Sequence, residues 1–184
     1  MILTDEQSRF LAEFLEQNRG AGFETRKVGA WHFCYDPEPA DRLATLVLKG
    51  VKTATSSAYW GYDADPDSVP RPGNLSIITF YSGMPACLIE TVRTTIVPYR
   101  DVGTDFARKE GEGDRSLRYW RSVHREFFSR ELENYGLRFS QTMLVLCEEF
   151  RLLHSAALDP ATRAFQGQPD GVSSPSPNTA ASKR

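Results

Sequence analysis

Apolar positions along the chain change period several times, and each change marks an element. Phe10, Leu11, Phe14 and Leu15 recur at helical spacing behind Thr4, a residue suited to cap a helix, and Gly20 and Gly22 stop the stripe. Lys27 to Tyr35 mixes β-branched and aromatic residues as a short strand does. After Pro37 and Pro39, the residues Ala40, Leu43, Ala44, Val47 and Leu48 form a second helical stripe that ends at Gly50, placed as a C′ glycine.

Thr53 to Trp60 reads as a strand, and residues 61–73, GYDADPDSVPRPG, as a polar loop. Leu75 to Tyr81 and Pro85 to Val97 read as strands joined by the turn Ser82-Gly83-Met84. Val102 to Lys109 predicts a short helix, GEGD a break, and Asp114 or Ser116 the cap of a helix over about 116–134. On that helix Leu117, Trp120, His124, Phe127 or Phe128, and Leu132 share a face. Met143, Val145 and Cys147 then alternate against Leu144 and Leu146 in a last strand within Phe139 to Leu153.

This order of helices and strands predicts an α+β fold, a mostly antiparallel sheet with its helices gathered at one side. Strands joined by short turns are also able to close into a small barrel. The chain divides into an N-terminal helical extension (1–22), a central domain (23–154) and a Ser-, Pro- and Ala-rich tail (155–184) with the composition of a disordered segment.

Composition narrows the function classes. With 184 residues, 40 % of them hydrophobic and 11 % aromatic, the chain supports one domain with a real core. Its 22 basic residues nearly balance 24 acidic ones, which argues against capture of long nucleic acid by bulk charge and favours a short or small substrate. Cys34, Cys87 and Cys147 lie far apart, as reduced thiols in a reducing compartment do. The N-terminus has neither the basic nor the apolar region of a signal peptide, and no apolar run reaches the roughly 18 residues of a membrane span. A cytoplasmic location without membrane attachment is the expectation.

Candidate chemistry concentrates in three stretches. In KGVKTATSSAYW, Lys52 and Thr55 share a face if the chain still turns after Gly50, and lie on opposite faces if it is already extended. A lysine activates a threonine hydroxyl only when burial or a cationic neighbour keeps it neutral. The competing reading is a solvated lysine at a helix end, with Lys49 as another surface residue. In FARKEGEGD, Glu110, Glu112 and Asp114 gather at a glycine-rich break; a glutamate there is placed to partner Lys52, whereas Asp114 suits a helix N-terminus. In RYWRSVHREFF, Arg118, Arg121 and Arg125 are spaced to meet phosphates, while Trp120 and His124 sit on the apolar side. Tyr59 and Trp60 suit either base stacking or the core. His32 and Cys34 lack the second ligand pair that zinc needs, so no metal site is read.

The order of these segments resembles the ASCH domain family, a PUA-related group, over residues 28–153. The likeness rests on GVKTAT, RPGN before a strand, PACLIETVRT followed by VPYRDV, FARKEGEGDRSLRYWRSVHREFF, and the closing CEEF strand. It implies a small PUA-like β-barrel with flanking helices and a cleft facing RNA or nucleosides. Some smaller relatives are amidohydrolases that remove the acyl group from N4-acylated cytidines with a lysine, a threonine and a glutamate. Matched motif by motif, these fall on Lys52, Thr55 and Glu110, with Glu112 as the alternative to Glu110. Other relatives, nearer this chain in length, are described as ribonucleases. The added N-terminal helix, the longer 61–73 loop and the fuller EGEGD…YWR…H motif set this chain apart from the compact amidohydrolases.

The resemblance therefore implies a catalytic set of Lys52, Thr55 and Glu110, lined by Ser56, Ser57, Tyr59, Trp60, Glu112, Arg121 and His124. Under the amidohydrolase reading a neutral Lys52 deprotonates Thr55, Glu110 protonates the departing amine, and Ser56 steadies the oxyanion. RNA cleavage would use Lys52 and Arg121 on the phosphate, with His124, Tyr59 or Glu110 moving a proton. A third reading is a module that binds RNA or a modified nucleotide without chemistry. No cofactor is implied, and a divalent metal enters only with RNA cleavage.

Overall fold

The computed structural model describes residues 2–63 and 65–156. Helix α1 (Asp5–Gln17) opens with a full capping box: the Thr4 hydroxyl accepts from the Gln7 backbone while the Gln7 side chain accepts from the Thr4 N–H. A short strand β1 (Val28–Trp31) leads to α2 (Pro37–Leu48), whose first turn uses proline where no intrahelical N–H is needed. Gly50, at φ +68°, ends α2 as its position foretold.

The chain then forms β2 (Ala54–Ala58), which ends two residues before Trp60, 3₁₀ turns at Tyr59–Tyr62 and Pro66–Ser68, β3 (Leu75–Thr79) and the long β4 (Pro85–Pro98). Helices α3 (Thr104–Glu110) and α4 (Leu117–Glu133) precede the closing strand β5 (Leu144–Ser155). Ser116, rather than Asp114, caps α4 by accepting from the Tyr119 N–H at 3.0 Å. β5 runs through Ser155, into the segment assigned to the tail; residues 157–184 lie outside the described residues.

The five strands form one mixed sheet in the order β1-β3-β4-β5-β2. Three of its four pairings are antiparallel, and β1 runs parallel to β3. The expected barrel closure is not part of this ladder, which runs from β1 at one edge to β2 at the other. After β1 the chain passes through α2 to the far edge, where β2 pairs with β5, so the two edge strands have the whole sheet between them.

The helices do not gather on one side. Leu75, Ile77 and Leu88 pack against Phe10 and Phe14 of α1, while their strand neighbours Ile78, Cys87 and Ile89 pack against Leu43, Ala44 and Val47 of α2. Alternation along β3 and β4 sends these two sets to opposite faces. That half of β4 is therefore buried on both sides, from Pro85 to Thr91. The ladder slips between Thr91 and Arg93, leaving Val92 as the extra residue. Past it, Ala58, Val145 and Cys147 pack under Ala107 of α3 and Trp120 and Phe128 of α4.

The apolar face of α1 is a working part of the core. Phe14 is 2 % exposed and meets the rings of Phe23 and His154. Phe14→Ala should cost about 3–5 kcal/mol in chemical denaturation, in one cooperative transition that includes the sheet.

Candidate functional site

The site is assembled where the C-terminal end of α3 docks on the residues between α2 and β2. The Val51 and Lys52 N–H groups donate to the Leu46 carbonyl, carrying the α2 terminus into an extended segment. The Thr53 N–H then donates to the Lys109 carbonyl at 2.8 Å. Gly111 ends α3 at φ +74°, and a Cβ there would lie 2.5 Å from the Val51 carbonyl oxygen. Only glycine allows both that backbone conformation and that approach.

Lys52 and Glu110, each 1 % exposed, meet inside this junction. Lys52 Nζ donates to Glu110 Oε2 at 2.5 Å and to Glu112 Oε1 at 2.8 Å, and lies 3.4 Å from the Glu110 carbonyl. It also sits 5.2 Å from the centre of the Phe33 ring. The second oxygen of Glu110 accepts from Ser56 Oγ at 2.6 Å and from the Trp120 indole N–H at 3.1 Å. His124 stacks on Trp120 at 4.4 Å, with Nε2 3.5 Å from Glu110 Oε1 and Nδ1 3.0 Å from the Trp120 carbonyl. Both imidazole nitrogens thus face acceptors, and the ring donates to both only in its protonated form.

The electrostatics follow. Burial by itself pushes the Lys52 pKa down, but Glu110 and then Glu112 outweigh it and hold the ammonium above its ordinary range. Burial likewise raises Glu110, and the charges of Lys52 and His124 reverse the shift to below the carboxylate range. The neutral, proton-accepting lysine expected from the sequence is therefore replaced by a charged one.

Thr55 is a second correction. Ala54 onward is extended, so Thr55 points to the opposite face of β2 from Ser56, directly across from Glu148 on β5. The hydroxyl brought to Lys52 and Glu110 is Ser56. Glu110, Glu112 and His124 lie together in the cluster around Lys52. Ser57 instead pairs with Tyr62 at 3.0 Å on the Thr55 face, and Tyr59 lies against Tyr62 in the following turn. Trp60 packs edge-on against Tyr135. Arg121 is exposed and donates to the Arg100 carbonyl at 3.2 Å, on the outer side of α4.

Two buried polar side chains escaped the sequence reading, Trp120 within the cluster and Glu148 on the Thr55 face of β2. Trp120 looked like plain core, although a buried indole N–H calls for an acceptor and so pointed to a carboxylate nearby. Glu148, 4 % exposed, accepts from the Thr91 hydroxyl at 2.5 Å, and burial raises its pKa. Its signal was a carboxylate directly after the apolar run 144–147. Among the described residues, no three His, Cys, Asp or Glu side chains are grouped to hold a metal ion, and no helix is long and apolar enough to cross a membrane. The three cysteines are free thiols.

The ion cluster has a defined pH window. Glu110 is held below its ordinary 4.5, so its stabilisation is present above that value and is lost as pH falls through the lower folded pKa. Lys52 is held above its ordinary 10.5, so its share is present below that value and is lost only as pH rises through the higher folded pKa. Lys52→Met removes the cation between two buried carboxylates and should cost about 3–5 kcal/mol at neutral pH. The loss should shrink towards pH 4 as the stranded carboxylates take up protons, which denaturation at a series of pH values reads directly.

Comparison with known proteins places this site within a shared architecture. The family model for the ASCH domain matches residues 29–154, a span that holds every member of the ion cluster. None of the curated proteins matches the chain. Among solved structures, the ASCH domain from Lactobacillus crispatus JV V101 is similar with a TM-score of 0.79 at 34 % identity, covering 83 % of this chain and 96 % of that one. A protein from Enterococcus faecalis V583 is similar with a TM-score of 0.71 at 31 % identity, covering 80 % and 88 %. With the model covering most of the chain and the open mixed sheet flanked by helices shared with a solved ASCH structure, this protein belongs to the ASCH domain family.

Proposed function

We propose that the protein acts on RNA or modified nucleosides, and that its chemistry is hydrolysis of an N4-acylated cytidine-type amide at Ser56, Glu110 and Lys52. The observation that carries this reading is the divided carboxylate of Glu110: one oxygen 2.6 Å from the Ser56 hydroxyl, the other 2.5 Å from the Lys52 ammonium. A hydroxyl bonded to a base that is itself oriented by a third group is the arrangement nucleophilic catalysis needs.

In this reading Ser56 Oγ attacks the acyl carbon and its proton passes to Glu110. As the C–N4 bond breaks, Glu110 returns that proton to the departing nitrogen, leaving cytidine and an acyl-serine. Water then attacks the ester with Glu110 again accepting a proton, and the acid leaves as Ser56 regains its hydrogen. Lys52 holds Glu110 ionised and aimed, and His124 Nε2 lies 3.5 Å from the Glu110 oxygen that accepts from Ser56. Thr55, on the other face of β2, takes no part. RNA cleavage has less support, because Arg121 and Tyr59 stand away from the cluster.

Incubation with N4-acetylcytidine tests this. The wild type should release cytidine, Ser56→Ala and Glu110→Gln should each lose at least about 100-fold in kcat/KM, and Thr55→Ala should stay within a few-fold. Absence of cytidine above the Ser56→Ala background overturns the hydrolytic reading. Activity should not fall as pH drops towards 5, because Glu110 is held ionised below its ordinary 4.5.

A further inference from the structure

Beside the turn that follows β2, Trp60, Gly61, Asp63, Glu131 and Tyr135 line a surface cavity of about 590 Å³. Two of its lining residues each carry a buried polar atom with no hydrogen-bond partner: the Trp60 indole N–H and Glu131 Oε2. The other Glu131 oxygen accepts from the Tyr35 hydroxyl at 3.1 Å, which fixes the carboxylate in place. Partnerless buried groups are costly, so a donor and an acceptor left over on the lining residues of one cavity are a positive feature of it. They are separate from the ion cluster around Lys52.

The polarity of the pair selects the occupant. An organic cation would satisfy Glu131 and leave the indole N–H empty. An anion would satisfy the indole but meet Glu131 and Asp63. A group with an acceptor and an N–H donor on one edge serves both. The walls add aromatic surface, with Trp60 and Tyr135 in edge contact at 4.5 Å, so a flat ring gains stacking as well. Tyr135 is 65 % exposed and stands four residues beyond Glu131. Its ring meets the Trp60 indole edge-on, a contact that a ligand ring can replace.

We infer that this cavity binds a neutral planar heterocycle of the nucleobase type, whose lactam or amino-imine edge donates to Glu131 and accepts from Trp60, with the ring taking the place of Tyr135 against the indole. The residues that line the cavity include none of the ion cluster. The cavity is thus a second binding position and not the seat of the scissile amide.

The indole N–H signals of the three tryptophans in a ¹H–¹⁵N spectrum report on it, with Trp60→Phe assigning the one that matters. Titration with cytidine, uridine, adenosine and guanosine should shift the Trp60 signal saturably for at least one of them. Glu131→Gln, checked for intact folding by unchanged Trp31 and Trp120 signals, should weaken that binding at least tenfold. Ser56→Ala should leave it unchanged, which separates this site from the hydrolytic one. No Trp60 shift with any nucleoside, an undiminished shift in Glu131→Gln, or an equal response to methylammonium or inorganic phosphate overturns the inference.

Discussion

A lysine ammonium closed off from water has to be neutralised where it lies, and the site half of the molecule is arranged around that requirement. The counter-charges arrive from α3 and the residues just after it, through Glu110 and Glu112. Their approach depends on backbone: Thr53 bonded to Lys109, and Gly111 pressed against the Val51 carbonyl without a Cβ. Once Glu110 is placed, its free oxygen draws in Ser56 from β2 and Trp120 from α4, and His124 stacks behind. One buried charge thereby fixes the relative positions of a strand, two helices and the residues that connect them.

The cluster is also one whose members cannot be exchanged singly. Removing one side of a buried ion pair strands the other, and that costs far more than replacing the whole set with apolar residues. Lys52, Glu110 and Glu112 therefore behave as one unit under substitution. A change at Glu110 further deprives the Ser56 hydroxyl and the Trp120 indole of their shared acceptor.

Much of this was legible in the chain, for identifiable reasons. Thr4, Gly50 and Ser116 mark helix ends through local chemistry, and local chemistry survives folding. The pairing of Lys52 with Glu110 was readable because a family motif carried it across a separation of 58 positions. What failed was set by long-range topology. Whether β1 met β2, which faces the helices covered, and the protonation of Lys52 all depend on what lies opposite a residue in space. Thr55 and Ser56 show the limit most sharply. A motif names the residues, but where extended structure begins decides which hydroxyl turns inward, and Ala54 starts the strand early enough to select Ser56.

The slip in β4 at Val92 divides the sheet into unequal halves. Before it, helices cover both faces; beyond it, α3 and α4 cover one. β2 lies at the outer edge of that second half, held by a single ladder to β5. Local opening costs least where buried contacts and ladder bonds are fewest. Amide hydrogens of β2 should therefore exchange with solvent well before those of β3, which is paired on both sides. The hydroxyl of Ser56 thus sits on an edge strand, next to the half of the sheet that is covered on one face only.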